Sequence, residues 1–254
     1  MSELAELASR LRGLHRADEP LVLPNAWDAA TARAVVEAGF PAVATTSSGV
    51  SAALGYQDGE HTPADEMFSA IRRVTRVAAG VPVTADIESG YRLSPAEVAR
   101  RLLDAGAVGC NLEDTDHTST DHRLVDAKQQ AERLAAVKGA ARDQGVDVVL
   151  NARVDIFLRG EPNVDEAIRR AHLYLEAGAD SIFPIGVSDE AAIVALVKGI
   201  PAPVNVIPGF RGAPSLARLR ELGVRRVSYA GRLFRAFEVD HQRRLAAIKS
   251  WQEF

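Results

Sequence analysis

The chain has 254 residues, 47% of them hydrophobic and 25% charged, with a formal net charge of −4. That length supports one large core with little room for a second domain, and the acidic balance offers no basic field for nucleic acid or an anionic membrane. One cysteine excludes an intramolecular disulfide and a cysteine-based zinc cluster, and no apolar run approaches the roughly 18 residues of a membrane span, so a cytoplasmic protein without membrane or nucleic-acid partners is expected.

Residues 4–14 carry a helical pattern, after which short apolar runs alternate with longer amphipathic ones. The predicted strands are Leu21–Asn25, Ala42–Thr46, Val81–Asp86, Ala107–Glu113, Val146–Arg153, Ser181–Ile185, Pro203–Ile207 and Arg225–Ser228. Helices are expected over 28–38, 64–79, 95–105, 127–144, 164–177, 189–198 and 215–222, with a last one from about 230 to 250. Glu37-Ala38-Gly39-Phe40, Asp104-Ala105-Gly106-Ala107, Glu176-Ala177-Gly178-Ala179 and Glu221-Leu222-Gly223-Val224 repeat one junction, in which glycine caps a helix before a buried strand. Eight βα units, without a Gly-x-Gly-x-x-Gly turn after the first strand, favour a closed (β/α)8 TIM barrel over an open doubly wound sheet. The class is α/β, and residues 1–254 form a single domain.

Barrel active sites lie at the carboxyl ends of the strands. The third strand ends in Asp86, and the period of two places Thr84, Asp86 and Glu88 on one face. The fourth strand ends in Glu113, which shares a face with Gly109 and Asn111, while Cys110 points with Leu112 into packing as an inert thiol. Asp86, Glu88 and Glu113 converging in a dry mouth would repel one another, and a hard divalent cation, Mg²⁺ or Mn²⁺, relieves that repulsion. Read blandly, the same acids are helix caps or solvated loop residues. Arg153, ending the fifth strand on a face with Asn151 and Asp155, suits bidentate binding of a substrate carboxylate or phosphoryl group, or else only an ion pair with Asp155 or Glu113. After the second strand, Thr46, Ser47, Ser48 and Gly49 offer hydroxyls and amides for an anion-binding loop. Asp58 and Asn205, the latter on the seventh strand, are further candidate substrate contacts. A Schiff-base aldolase is disfavoured, because Lys128, Lys138, Lys198 and Lys249 all fall in helical segments.

Pro24-Asn25-Ala26-Trp27-Asp28, Thr46-Ser47-Ser48-Gly49-Val50-Ser51-Ala52, Leu54-Gly55-Tyr56-Gln57-Asp58, Asp86-Ile87-Glu88-Ser89-Gly90-Tyr91, Asn111-Leu112-Glu113-Asp114 and Asn151-Ala152-Arg153-Val154-Asp155 follow one another in an order that resembles the isocitrate lyase and phosphoenolpyruvate mutase superfamily over nearly the whole chain. The resemblance implies a Mg²⁺-dependent lyase that breaks a C–C bond of a small 2-oxo or 2-hydroxy (di)carboxylate through a metal-stabilised enolate of pyruvate type. It implies Asp86 as direct metal ligand, with Glu88, Glu113 and Asp58 holding the ion directly or through waters. Thr46, Ser47 and Ser48 then cradle the substrate carboxylate, and Arg153 clamps the substrate.

Two departures bear on the reaction. The lyases carry a Lys-Lys/Arg-Cys-Gly-His loop after the strand-four glutamate, where this chain has Asp116-His117-Thr118-Ser119-Thr120-Asp121-His122-Arg123. The mutase gating loop is missing too, and Pro184 or Ile185 stands where the mutase has a histidine. His117 and His122 are therefore candidate catalytic acids on a closing lid, or simply exposed loop histidines. The alternatives are phosphonomutase or P–C bond-cleaving chemistry, for which Arg92 and Arg123 are the obvious extra cations, and a non-catalytic binding paralogue. The amphipathic segment from Leu233 to Phe254 ends in Trp251 and Phe254, and the resemblance suggests a helix packed on, or exchanged with, a neighbour in a homodimer or homotetramer. The other option is that it closes its own barrel.

Overall fold

Pro24 splits the first predicted strand in two, because proline has no amide to give the ladder. The computed structural model describes residues 2–159 and 162–252, and in it β1 (Leu21–Leu23) and β2 (Asn25–Ala26) flank that proline. There follow β3 (Val43–Thr45), β4 (Val83–Asp86), β5 (Gly109–Glu113), β6 (Val149–Arg153), β7 (Ser181–Phe183), β8 (Asn205–Val206) and β9 (Arg226–Ser228). Every pairing is parallel, in the orders β2-β3-β4-β5-β6-β7 and β1-β9-β8. A parallel bridge between Ile182 and Val204 joins β7 to the β8 side, and the chain itself runs from β1 into β2. With β1 and β2 counted as one strand, the ring of eight is closed, as the sequence predicts.

The outer layer is α2 (Ala29–Glu37), α4 (Ala64–Val77), α5 (Pro95–Asp104), α6 (Ala127–Asp143), α7 (Val164–Glu176), α8 (Glu190–Gly199) and α9 (Leu216–Glu221). All but α4 start on a side-chain cap: Asp28, Ser94, Asp126, Asn163, Asp189 and Ser215 each accept an amide of the first turn. The junction glycines Gly39, Gly106, Gly178 and Gly223 adopt φ of 82°, 82°, 97° and 85°, the left-handed conformation that ends a helix cheaply only with glycine.

Helix α1 (Glu3–Leu14) closes the amino-terminal end of the barrel: Leu11 is fully buried, and Arg12 bonds Asp180 at 2.7 Å and the Asp147 carbonyl at 2.7 Å. Just beyond α1, His15 accepts from Arg226 of β9 at 2.9 Å, inside the barrel. Cys110 is fully buried among apolar neighbours, as expected, and burial pushes its thiol up to about 12.

One element departs from expectation. The Ser/Gly-rich stretch expected as a loop forms α3 (Ser47–Leu54), ended by Gly55 at φ 87°. Its composition is poor in helix formers, but Val50 and Ser51 are buried against the body of the barrel, and that tertiary packing decides the conformation.

Helix α10 (Arg232–Lys249) starts on its own barrel, with Phe234 edge-on to Trp27 at 5.2 Å and Phe237 at 5.7 Å. Its later residues Val239, Leu245 and Ile248 are exposed, as is Trp251 just beyond it. Phe254 lies outside the described residues. Among those residues no helix is long and apolar enough to cross a membrane.

Candidate active site

Strand register brings the predicted residues to one end of the barrel: Asp86 pairs with Asn111, and Glu113 with Arg153. Of these, Glu113 and Arg153 line a cavity of about 240 Å³ together with Ser47, Asp58, Glu88, His117, His122 and Arg159, and Ser47 in turn bonds Asp86. A neighbouring cavity of about 350 Å³ shares Glu113 and His117 and takes Arg92 into its wall. The smaller one holds the strand-end chemistry.

Asp86 is fixed from two sides. Ser47, first residue of α3, donates its amide (3.1 Å) and its hydroxyl (2.9 Å) to Oδ2, while Oδ1 has only a long contact from the Asn111 amide, 3.4 Å. The direction of that amide is dictated below it. Asn111 Oδ1 accepts from Asn151 at 2.8 Å and from Arg226 at 3.3 Å, so its NH₂ must face Asp86. Arg226 is 1% exposed and forms no ion pair with a carboxylate among the described residues, and burial pulls its guanidinium down to about 10.

After β4 the chain turns through three non-glycine residues in the left-handed region, Glu88 (φ 51°), Tyr91 (55°) and Arg92 (58°). Such conformations persist only where surroundings over-determine them. Here Glu88 Oε2 accepts from the amides of Gly59 (2.8 Å) and Glu60 (2.7 Å), and Oε1 from the Tyr91 hydroxyl (2.6 Å). Burial first, and the charge of Asp58 second, push the Glu88 carboxyl up to about 8.

Glu113 is 2% exposed, and Oε1 meets His117 Nε2 at 2.5 Å. Arg153 Nη1 forms an ion pair with Oε2 whose angles fall outside hydrogen-bond geometry. Burial holds the Glu113 carboxyl well above the usual range, opposed by Arg153 and reinforced by Asp155 and Asp86. Asp58, exposed at the rim, is pushed the same way by the protein around its carboxyl and then by Asp86, an effect softened by the water that reaches it.

Arg153 is ion-paired and also lines the cavity. Its Nε and Nη2 donate to the two oxygens of Asp155 at 2.7 and 2.8 Å, and its third nitrogen faces Glu113. Asp155, fully buried, also accepts from Thr115 at 2.6 Å, which anchors the start of the 115–124 loop. That loop closes on itself through an antiparallel bridge between Thr115 and Leu124 and carries both histidines to the cavity. The expectation that they are simply exposed is overturned for His117, whose side chain is 3% exposed. Nδ1 of His117 and Nδ1 of His122 are buried without a hydrogen-bond partner, and the rings meet edge to face at 5.7 Å.

The other predicted substrate contacts divide. Ser47 and Asp58 line the cavity, whereas the hydroxyls of Thr46 and Ser48 bond each other at 3.1 Å. Gly49 is fixed by packing: an added Cβ would lie 2.7 Å from Thr46 Cγ2 and 3.1 Å from Trp27 Cβ. Asn205 does not reach the cavity. It is fully buried on β8 and exchanges hydrogen bonds with Ser228 at 3.1 and 3.2 Å, because its strand face looks into the barrel below the mouth. Sequence reasoning assigned nothing to Tyr91, His61 or Arg159. Tyr91 lay inside a quoted motif, but nothing local shows that its hydroxyl reaches back to Glu88.

A family model described as phosphoenolpyruvate phosphomutase matches residues 11–249. The chain belongs to the phosphoenolpyruvate mutase/isocitrate lyase superfamily. An uncharacterised superfamily relative from Mycobacterium tuberculosis, Rv1998c, is 36% identical over 85% of this chain and 79% of its own length. A 2-methylisocitrate lyase of Bacillus subtilis is 31% identical over 80% of this chain and 67% of its own. Among solved structures, a Burkholderia cenocepacia protein provisionally assigned as a phosphonomutase is 40% identical, with a TM-score of 0.85, over 96% of this chain and 99% of that one.

The expected metal residues Asp86, Glu88 and Glu113 do not stand as a ready-made ligand cluster. Among the described residues no three acidic, histidine or cysteine side chains are arranged to hold a metal ion together. Glu88 is turned onto protein donors and Glu113 onto His117 and Arg153, while Asp86 Oδ1 keeps only the long contact from Asn111. The surroundings still suit a hard cation: the groups are oxygen donors, and the carboxyls of Asp58, Glu88 and Glu113 are all raised by burial and mutual charge, which a divalent ion among them would relieve.

Proposed function

We propose that the chain is a lyase that cleaves a C–C bond of a small 2-oxo or 2-hydroxy (di)carboxylate with Mg²⁺, or Mn²⁺ in its place. The observation that carries this reading is the crowd of carboxylates at and just beyond the ends of β4 and β5, whose carboxyls are raised by burial first and then by one another beside a small cavity. Asp86 would hold the ion directly, and Asp58, Glu88 and Glu113 through waters. When bound, the ion supplies positive charge for polarising a substrate carbonyl.

The chain's own residues do the rest. Ser47 and Asn111 orient Asp86, and Tyr91 keeps Glu88 turned towards the 59–60 amides. The amides of Ser48 and Gly49, in the first turn of α3, lack intrahelical partners and sit at the positive end of the helix, which suits a substrate carboxylate. His117 and His122 line the cavity and their buried Nδ1 atoms have no protein partner, which supports a role in taking or giving a proton in the absence of the lyase cysteine loop.

A second reading, chemistry on the P–C bond of a phosphonopyruvate-like acid, is supported by the 40% identity to the Burkholderia protein. We also infer a homodimer or homotetramer, supported by the exposed Val239, Leu245, Ile248 and Trp251 at the end of the chain, which light scattering on the purified protein checks.

The deciding experiment is a panel of oxaloacetate, methylisocitrate, dimethylmalate-like acids and phosphonopyruvate at saturating Mg²⁺, assayed for pyruvate-type products. Turnover of a carbon acid that disappears in Asp86→Ala supports the first reading, and turnover of phosphonopyruvate alone the second. Binding without turnover across the panel makes the chain a non-catalytic paralogue. Mg²⁺ is expected to raise the Tm of the wild type and not of Asp86→Ala; equal shifts in both would sink the metal assignment.

A further inference from the structure

Two arginines line the cavity, and among the described residues only one of them has protein partners. Arg153 has Asp155 on two nitrogens and Glu113 on the third. It can meet a substrate only while keeping Asp155, fully buried, since stripping that carboxylate of its cation is strongly unfavourable. Arg159 differs. The turn after β6 fixes its backbone, since the amides of Leu158 and Arg159 both bond the Asp155 carbonyl, at 2.8 and 2.9 Å. Its guanidinium forms no hydrogen bond or ion pair among the described residues, its Nε is buried without a partner, and it lines the cavity opposite no protein anion in contact with it. The cations considered from sequence do not compete for this place. Arg92 lines the neighbouring cavity, and exposed Arg123 stands 3.7 Å from Asp116.

We propose that Arg159 is a specificity-determining residue that receives a second anionic group of the substrate, a carboxylate or a phosphonate. This rests on the cavity being the active site proposed above. A guanidinium presents forked N–H donors to either oxyanion, and a dry unpartnered N–H gains most from such a partner. The cavity of about 240 Å³ is below the roughly 300–1,000 Å³ of clefts that bury drug-sized ligands, which restricts the site to small acids.

The test is calorimetric titration at saturating Mg²⁺ with three 2-hydroxy acids that differ only at the far end: lactate, malate and 3-phosphonolactate. Wild type is expected to bind malate or 3-phosphonolactate more tightly than lactate, and whichever is tighter identifies the far group as carboxylate or phosphonate. Arg159→Gln should weaken that ligand by about 10- to 100-fold and leave lactate unchanged, while Arg159→Lys recovers part of the loss. Circular dichroism and Tm establish that both variants fold. A wild type that gains nothing from the far anion, or a variant that loses all three ligands equally or none, overturns the inference alone. A wild type that binds none of the three overturns the proposed active site, and the inference with it.

Discussion

Ser47 donates both its backbone N–H and its hydroxyl to one oxygen of Asp86, at 3.1 and 2.9 Å. A residue expected to cradle substrate is thus also the residue that aims the proposed metal ligand. Ser47→Ala keeps the amide bond and removes the hydroxyl bond. A hydrogen bond to a charged group contributes about 1.5–3 kcal/mol, so Mg²⁺ affinity measured calorimetrically should fall about tenfold. Unchanged affinity would show that the amide suffices.

His117 and His122 are expected to act on protons rather than on the metal. His117→Ala and His122→Ala should each lower kcat by about 10²-fold or more while leaving Mg²⁺ affinity within a few-fold, the size usual for a positioned acid or base. Steady-state kinetics beside Mg²⁺ titration decides this, and unchanged kcat in both variants removes them from the mechanism.

The buried guanidinium of Arg226 makes a prediction about stability. Asn111→Leu takes away a neutral acceptor and leaves the cation more isolated, which should cost about 1–3 kcal/mol. Arg226→Met removes the cation itself and should cost less. Urea denaturation of the two single variants and the double variant checks the order: the double should be less destabilised than the sum of the singles, since the orphaned charge is gone.

His15 provides a pH dependence. Its Nδ1 meets the Leu11 carbonyl at 2.8 Å and its Nε2 meets Arg226, so only the neutral Nδ1–H tautomer satisfies both contacts. Burial first, then the charge of Arg226, pull its pKa from 6.5 to about 4. The folded value lies below the unfolded one, so acid favours the unfolded chain. Stability present at pH 7 is lost as pH falls through 6.5 towards 4, by up to about 3 kcal/mol. Denaturation midpoints at pH 7 and pH 5 should differ more in the wild type than in His15→Gln.

The outline of this protein is written in local patterns. Alternating short apolar and longer amphipathic runs, with glycines at four helix ends, are enough to specify eight βα units, because periodicity and capping act within a few residues. Strand parity likewise picks out Asp86, Glu88, Glu113 and Arg153, since a strand end in a barrel can face only the mouth or the helices. What each of these groups bonds to was decided by contacts between distant segments: Ser47 with Asp86, 39 residues apart, Gly59 with Glu88, 29 apart, and Arg226 with Asn111, 115 apart. The same long-range packing made a helix of a Ser/Gly-rich stretch, drew Asn205 into the barrel interior, tied Arg153 to Asp155 and left Arg159 facing the cavity. Hydrogen-bond partners, unlike periodicity, depend on which side chains the closed ring brings within about 3 Å of each other.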